Sequence, residues 1–291
     1  MAQQALALAA SIEALAAPDR LTIFHLMHSA LGMDMRAALA KLERPGFECF
    51  MHPVGSDFDY LPIQAPFSSA IYFRLMIPQA LAGVDKAVYL DADTIALRDV
   101  AELFDENVDN VALAAMPDYA MYYFELMSGV PVSGKQKPVF VYMREKLGIS
   151  YSQPSDYFNS GVMTMNLKAW RERNIGAECL RYIARRGRLQ WPDQDSLNVV
   201  CGGDYARIDA RWNAFARWCN GVSKFGRSPD FDALQHAWTR DPWIVHFSGD
   251  CKPWIASHSR TIHDTVYWRH HKPWLATGST DFQRVEPVFI S

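Results

Sequence analysis

Two carboxylates at the end of an apolar run are the first place in this chain where reactive groups are concentrated. Lys86-Ala87-Val88-Tyr89-Leu90-Asp91-Ala92-Asp93 follows the turn-like Gly83-Val84-Asp85 and stops at Asp91 and Asp93. A short run with β-branched and aromatic residues, bounded by turn formers, reads as a buried strand. Ligands of open α/β sheets bind at the carboxyl ends of strands, and alternation puts residues i and i+2 on one side, so both carboxylates can face one point. Two hard oxygen donors so placed suit Mg2+ or Mn2+, the alternative being an ordinary polar loop. Further on, Ile244-Val245-His246-Phe247-Ser248-Gly249-Asp250-Cys251-Lys252-Pro253-Trp254 reads as a strand and a glycine-containing turn. His246 is either structural or a ligand; Gly249 with the Lys252 ammonium close behind is what a diphosphate cradle needs. Residues 191–198 open a helix with Pro192 early and Asp193 and Asp195 in the first turn, where carboxylates complement the helix dipole.

The elements that must position these groups alternate between strand and helix. Residues 1–17 read as a helix closed by Pro18, 21–27 as a strand, 33–42 as a helix stopped by Pro45-Gly46, and 47–54 as a second strand. That rhythm predicts a mostly parallel sheet flanked by helices. Ser68 suits the N-cap of a helix over 69–81, kinked or ended by Pro78 and carrying one cation, Arg74. Arg74 is either satisfied by a nearby carboxylate or aimed at the acidic strand end. Further strands are predicted over 110–116, ending in Pro117-Asp118, and over 157–167, with a polar kink at Asn159-Ser160-Gly161. The aromatic, irregular stretch 119–155 between them is a functional or mobile excursion. Residues 170–188 form a basic amphipathic helix whose charges read as a solvated face. From Asp264 the tail carries Tyr267, Trp268, Arg269, His270, His271, Lys272 and Trp274, a mix that fits a packed helix or an anionic membrane surface. Without an internal repeat or low-complexity linker, the chain reads as one domain over 1–255 with a helical extension over 256–291.

Bulk properties narrow the function classes. The 291 residues can bury a sizeable core, and a net charge of −3 gives no general case for nucleic-acid binding. Five scattered cysteines, with no C-x-x-C pair, read as reduced thiols of a cytosolic protein. No apolar run is long enough to span a membrane, and the start lacks the basic region of a signal peptide.

Five blocks together resemble glycosyltransferase family 8, which includes bacterial lipopolysaccharide galactosyl- and glucosyltransferases and glycogenin. They are Ile71-Tyr72-Phe73-Arg74-Leu75, Val88-Tyr89-Leu90-Asp91-Ala92-Asp93, Tyr157-Phe158-Asn159-Ser160-Gly161-Val162, Asp193-Gln194-Asp195-Ser196-Leu197-Asn198 and His246 to Trp254. The resemblance implies a GT-A fold, a UDP-sugar donor, a glycan or lipopolysaccharide-type acceptor and retention of anomeric configuration. It implies Mn2+, with Mg2+ as an alternative, held by Asp91, Asp93 and His246. Arg74, Ala92, Gly249 and Lys252 map to the donor and its diphosphate. Asn159 and Asp193 map to the sugar pocket, Asp118 to a position near the acceptor, and Gln194, beside Asp193, to the reacting centre. An amide is a poor nucleophile, so front-face departure with Gln194 stabilising the oxocarbenium-like centre is favoured. Such proteins are expected in the cytoplasm, here with peripheral inner-membrane contact through the C-terminal tail.

One departure stands out. Family members begin with a central strand ending in an acidic turn that grips uridine, whereas this sequence starts inside the following helix. The expectation is therefore two bare strand edges and weak UDP binding, unless further sequence precedes Met1. Two rival classes fit parts of the pattern. Leu90-Asp91-Ala92-Asp93-Thr94 matches a haloacid-dehalogenase-type phosphatase with Asp91 as nucleophile, although that motif normally opens its domain and leaves the His246 block unexplained. The other is a non-catalytic relic that lost donor binding with its first strand.

Overall fold

The computed structural model describes residues 2–55, 58, 60–63, 67–121, 141–149, 156–219, 229–249, 252–255, 261–275 and 285–290. Among the described residues there are ten strands: β1 (Thr22–His28), β2 (Phe47–Pro53), β3 (Lys86–Leu90), β4 (Thr94–Ala96), β5 (Leu113–Pro117), β6 (Phe158–Asn166), β7 (Tyr205–Arg207), β8 (Ala214–Phe215), β9 (Ile244–His246) and β10 (Val285–Ile290). Seven make one sheet in the order β2-β1-β10-β3-β6-β5-β7, and β4-β9-β8 make a second. β2, β1, β3, β5 and β7 point one way while β10 and β6 run against them. This is the helix-flanked α/β sheet that the sequence rhythm predicts, but in mixed form: five strands share a direction, yet four of the six pairings are antiparallel because β10 and β6 run against their neighbours.

β3 is the pivot because it is buried on both faces. Val88 and Leu90 pack with Leu6, Leu8 and Ile12 of the Ala2–Glu13 helix, while Ala87 and Tyr89 pack with Tyr72, Phe73, Leu75, Trp170 and Leu197 on the other side. Each such large apolar side chain removed from water contributes about 1.5–3 kcal/mol, which is why this strand reads as an uninterrupted apolar run.

Several elements differ from expectation for local reasons. The first helix stops at Glu13. Residues Ser69–Met76 wind as a 3-10 helix, with no side-chain cap from Ser68, and a separate short helix, Ile77–Ala80, carries Pro78 in its first turn. A continuous α-helix would need an N–H at position 78, which proline lacks; in a first turn that donor is not required. The basic helix is two helices, Leu167–Glu172 and Ile175–Arg186, broken at Asn174 with φ of 54°. The break lays Gly176 against the Arg74-bearing segment: a Cβ there would stand 2.2 Å from the Leu75 carbonyl oxygen, so only glycine fits.

The expectation of two bare strand edges is not met. β10 lies between β1 and β3, antiparallel to both, pairing Ile23 with Ile290, His28 with Val285, and Tyr89 with Val288. The extension expected to be helical is a helix, Asp264–Leu275, followed by this strand. In the helix, Tyr267 is 1% exposed and packs with Phe247 and Trp254, and His271 Nε2 lies 3.2 Å from Gln3 Oε1. Two of the residues considered for a membrane surface thus face the protein, and the side chains of Lys272 and Trp274 lie outside the described residues. Cys49, Cys179, Cys201 and Cys219 are buried free thiols, while Cys251 and most of the 119–155 excursion are outside the described residues. Among the described residues no helix is long and apolar enough to cross a membrane.

Ending the chain after Arg284 removes the strand that completes both ladders. We expect the truncated protein to lose roughly 10 °C in Tm, at about 2–4 °C per kcal/mol for a domain this large, and to aggregate more readily. An unchanged melting curve with unchanged light scattering would place β10 outside the sheet.

Candidate active site

Strand register brings the reactive groups together. β6 runs against β3, pairing Leu90 with Val162, so Asn159-Ser160-Gly161 lies beside Asp91, and Asp91 N–H donates to the Gly161 carbonyl at 2.8 Å. β5 pairs Pro117 with Phe158, which delivers Asp118 to the same end. Across the second sheet Thr94 pairs with His246, and Phe247 N–H donates to the Asp93 carbonyl at 2.9 Å. The two carboxylates converge by a mechanism other than pleat alternation. β3 ends at Leu90, and Asp91-Ala92-Asp93 is the turn that carries the chain from one sheet to the other.

Asp91, Asp93 and His246 each offer a ligand atom, all within 4.8 Å of one another. His246 Nε2 lies 3.4 Å from Asp93 Oδ1 and 3.7 Å from Asp91 Oδ2. Two carboxylates and an imidazole are a donor set that Mn2+ or Mg2+ accepts. The site is tight: a Cβ on Gly161 would stand 2.5 Å from His246 Cε1 and 2.8 Å from Asp91 Oδ2. Two cations from the chain hold the acids. Lys252 Nζ pairs with Asp93 Oδ2. Arg74, 4% exposed, donates to Asp91 Oδ1 at 2.8 Å, to the Ser160 carbonyl and hydroxyl at 2.9 Å, and pairs with Asp193 Oδ2 at 3.1 Å; its guanidinium lies over the Tyr89 ring. Burial pushes Asp93 up, but Lys252 and His246 outweigh it and hold the carboxyl well below the usual range. For Asp193 burial prevails over Arg74 and the pKa is raised.

Beside this centre lies a buried carboxamide network. Gln194 Nε2 donates to Asp118 Oδ2 at 2.9 Å, and Gln194 Oε1 accepts from Asn159 Nδ2 at 3.0 Å and Ser160 N–H at 3.1 Å. Asp195 is sealed beneath it. Its Oδ1 accepts from Tyr157 at 2.7 Å, and its Oδ2 from Tyr142 at 2.5 Å and from Trp191 N–H at 3.0 Å. Asp195 therefore anchors two phenols as well as the start of its helix, and burial pushes its pKa up to about 6.

The profile of Glycosyl transferase family 8 matches residues 2–258. The chain belongs to that family. It is 25% identical over 223 residues to General stress protein A of Bacillus subtilis (strain 168), covering 73% of this chain and 68% of that protein. It is 26% identical over 231 residues to the lipopolysaccharide 1,2-glucosyltransferase of Escherichia coli (strain K12), covering 77% of this chain and 61% of that one. Among solved structures it superimposes on the galactosyltransferase LgtC, in complex with donor and acceptor sugar analogs, with a TM-score of 0.71 at 22% identity over 94% of this chain and 92% of LgtC. The apo bifunctional glycosyltransferase WbbM gives a TM-score of 0.75 at 23% identity over 95% of this chain and 49% of WbbM. At these identities the structures establish the shared GT-A fold. The chain spans 61% of the E. coli enzyme and about half of WbbM.

Within this family 8 chain, the residues singled out from sequence fall into two adjoining groups. Asp91, Ala92, Asp93, His246 and Lys252 lie at the acidic turn, and Asp118, Asn159, Asp193 and Gln194 in the buried pocket beside it, with Arg74 bridging the two. Gly249 follows β9 with φ of 67°, a left-handed conformation that favours glycine. Neighbouring Asp250 and Cys251 are outside the described residues. Sequence reasoning missed Asn213, fully buried, whose Oδ1 lies 2.8 Å from His246 Nδ1. It also missed the anchoring role of Asp195. An isolated Asn in Arg211-Trp212-Asn213 carries no spacing signal, and Asp195 was accounted for by the helix dipole alone.

The Asp195 environment has a pH signature. The folded-state value of about 6 lies above the ~3.9 of a free aspartate, so the folded form binds this proton more tightly. Its contribution is fully present below about pH 4 and is lost as pH rises through about 6. Measured against Asp195→Asn by urea denaturation, wild-type stability should fall by roughly 1–3 kcal/mol between about pH 4 and pH 6. A flat difference across that window would contradict the assigned environment.

Proposed function

We propose that this protein is a retaining hexosyltransferase that moves galactose or glucose from a UDP-sugar to a glycan or lipopolysaccharide-type acceptor. The observation that carries the reading is the convergence of Asp91, Asp93 and His246 within 4.8 Å, directly beside the buried Asp118–Asn159–Gln194 network. The donor set fits Mn2+, with Mg2+ second. A divalent ion there would supply Lewis-acid stabilisation of the departing diphosphate. Lys252 and the Gly249 turn would hold the same phosphates, since an ammonium and an open glycine turn leave room for backbone approach. Arg74 keeps Asp91 and Asp193 in place from behind. The lipopolysaccharide glucosyltransferase among the relatives and the sugar analogs bound to LgtC support the donor and acceptor classes. Action in the cytoplasm, at the inner membrane where such acceptors are assembled, follows from the same reading.

Retention is best served by front-face departure. Gln194 is bonded at both ends of its carboxamide, so it presents a fixed dipole rather than a free nucleophile. The family match and the His246 block favour this function over the phosphatase with Asp91 as nucleophile, and the assembled acid–imidazole–amide set favours an active enzyme over a relic.

Four measurements test the reading. A panel of UDP-sugars should be hydrolysed or transferred with Mn2+, EDTA should abolish turnover and Mn2+ restore it, and Asp91→Ala should lose UDP affinity only when metal is present; full activity in EDTA would overturn the metal assignment. Gln194→Ala should lower kcat by roughly 10- to 1000-fold, the scale of losing one transition-state dipole, with the product anomer unchanged. A sugar adduct trapped on Gln194 or Asp193 and seen by mass spectrometry would replace front-face departure with a covalent route.

A further inference from the structure

The direction of every hydrogen bond between the sugar pocket and His246 is set by groups with one role each. Asp118 Oδ2 receives Asn159 Nδ2 at 3.1 Å and Gln194 Nε2 at 2.9 Å, and a carboxylate only accepts. Asn159 must therefore turn Oδ1 the other way. There it accepts from the Gly161 backbone N–H at 3.0 Å, a group that only donates, which fixes the same orientation independently. It also accepts from Asn213 Nδ2 at 2.8 Å. Having directed its NH2 at Asn159, Asn213 presents Oδ1 to His246 Nδ1 at 2.8 Å. An amide oxygen cannot donate, so Nδ1 carries a proton, and in the neutral imidazole that a cation would bind, the lone pair is then on Nε2. Nε2 is the nitrogen that faces Asp93 and Asp91. Phe215 packs edge-on against the ring, with centroids 5.7 Å apart, and limits its rotation.

We propose that Asn213 is a positioning residue for His246: it selects the imidazole tautomer that leaves Nε2 free for a divalent cation, and through Asn159 it ties that ring to the Asp118–Gln194 pocket. The inference rests on the metal reading of the Asp91, Asp93 and His246 group. Asn213 does not touch the cation's position itself. It acts by fixing which nitrogen of a ligand is basic, as outer hydrogen-bond partners of metal-bound histidines do, and losing such a partner costs about 10- to 100-fold in metal affinity. The same chain makes the amide polarity of the sugar pocket and the basic nitrogen of the metal ligand parts of one arrangement. Reversing any amide would place two donors or two acceptors face to face.

The test uses the full chain and two variants. Asn213→Leu removes both hydrogen bonds. Asn213→Asp keeps an acceptor against His246 Nδ1 but cannot donate to Asn159. In metal-free wild type at about pH 8, 15N spectra should show His246 as the Nδ1–H tautomer, the signal being assigned by its loss in His246→Ala. Asn213→Leu should show a mixture of tautomers, and its Mn2+ affinity, read from the free-ion electron paramagnetic resonance signal, should fall about 10- to 100-fold. Asn213→Asp should restore the single tautomer and return Mn2+ affinity to within a few-fold of wild type. An Nε2–H tautomer in the wild type, which needs no variant to fold, would overturn the proposal. So would an Asn213→Leu protein with unchanged tautomer or unchanged Mn2+ affinity, or an Asn213→Asp protein no better than the leucine variant. A wild type that binds no divalent cation would instead overturn the metal reading, and the Mn2+ titration reports that separately from the tautomer.

Discussion

Concentrating carboxylates in a half-buried turn is electrostatically unfavourable, and the Arg74 guanidinium is what makes it tolerable here. Asp91 and Asp193 come from distant parts of the chain, yet both lean on the same NH2 group, while the other terminal nitrogen donates to the Ser160 carbonyl and hydroxyl. Removing one partner of such a buried set leaves an uncompensated charge, at a cost of about 3–5 kcal/mol. The arrangement explains why Arg74 is buried and enclosed by protein rather than held out toward solvent. It also explains the need for Gly176, because the segment carrying Arg74 must be pressed close by the Ile175–Arg186 helix to reach both acids.

The second cation is placed differently. Lys252 is part-exposed and pairs with one carboxylate at the open side of the turn, where burial would otherwise push Asp93 toward its neutral form. A buried guanidinium and a part-exposed ammonium divide the work: the first holds several acceptors in one geometry, the second neutralises a single carboxylate. The amide side chains beside the turn carry no charge of their own; bonded to the Asp118 carboxylate, they specify direction.

Much of the fold was readable because β3 and β6 are buried on both faces and their apolar runs end abruptly in polar motifs. Four of the five ordered blocks sit at a strand end or helix start, and the fifth, Ile71 to Leu75, lies within the 3-10 helix that brings Arg74 to them. What could not be read depends on contacts between segments far apart in sequence. Asn213 gains its role from a partner in β9 and another in β6. Asp195 lies where a helix dipole already accounts for a carboxylate. The 3-10 winding around Arg74 and the break at Asn174 are tertiary choices that override an apolar helical pattern. The expected vacancy between β1 and β3 failed for a related reason: a strand segment near residue 290 is too short and too remote to be assigned to a central slot by local pattern.

That central strand has a consequence for how the molecule can assemble. Ile23 pairs with Ile290, so the middle of the sheet joins opposite ends of the sequence, and its contact order is far higher than that of β1 and β2, which neighbour each other in the chain. During synthesis the helices and the flanking strands can collapse early, but the sheet cannot close until translation has passed residue 290. Until then the emerging chain carries a gap with two unpaired ladders, an opening that chaperones or a neighbouring nascent chain can reach before its own last strand arrives.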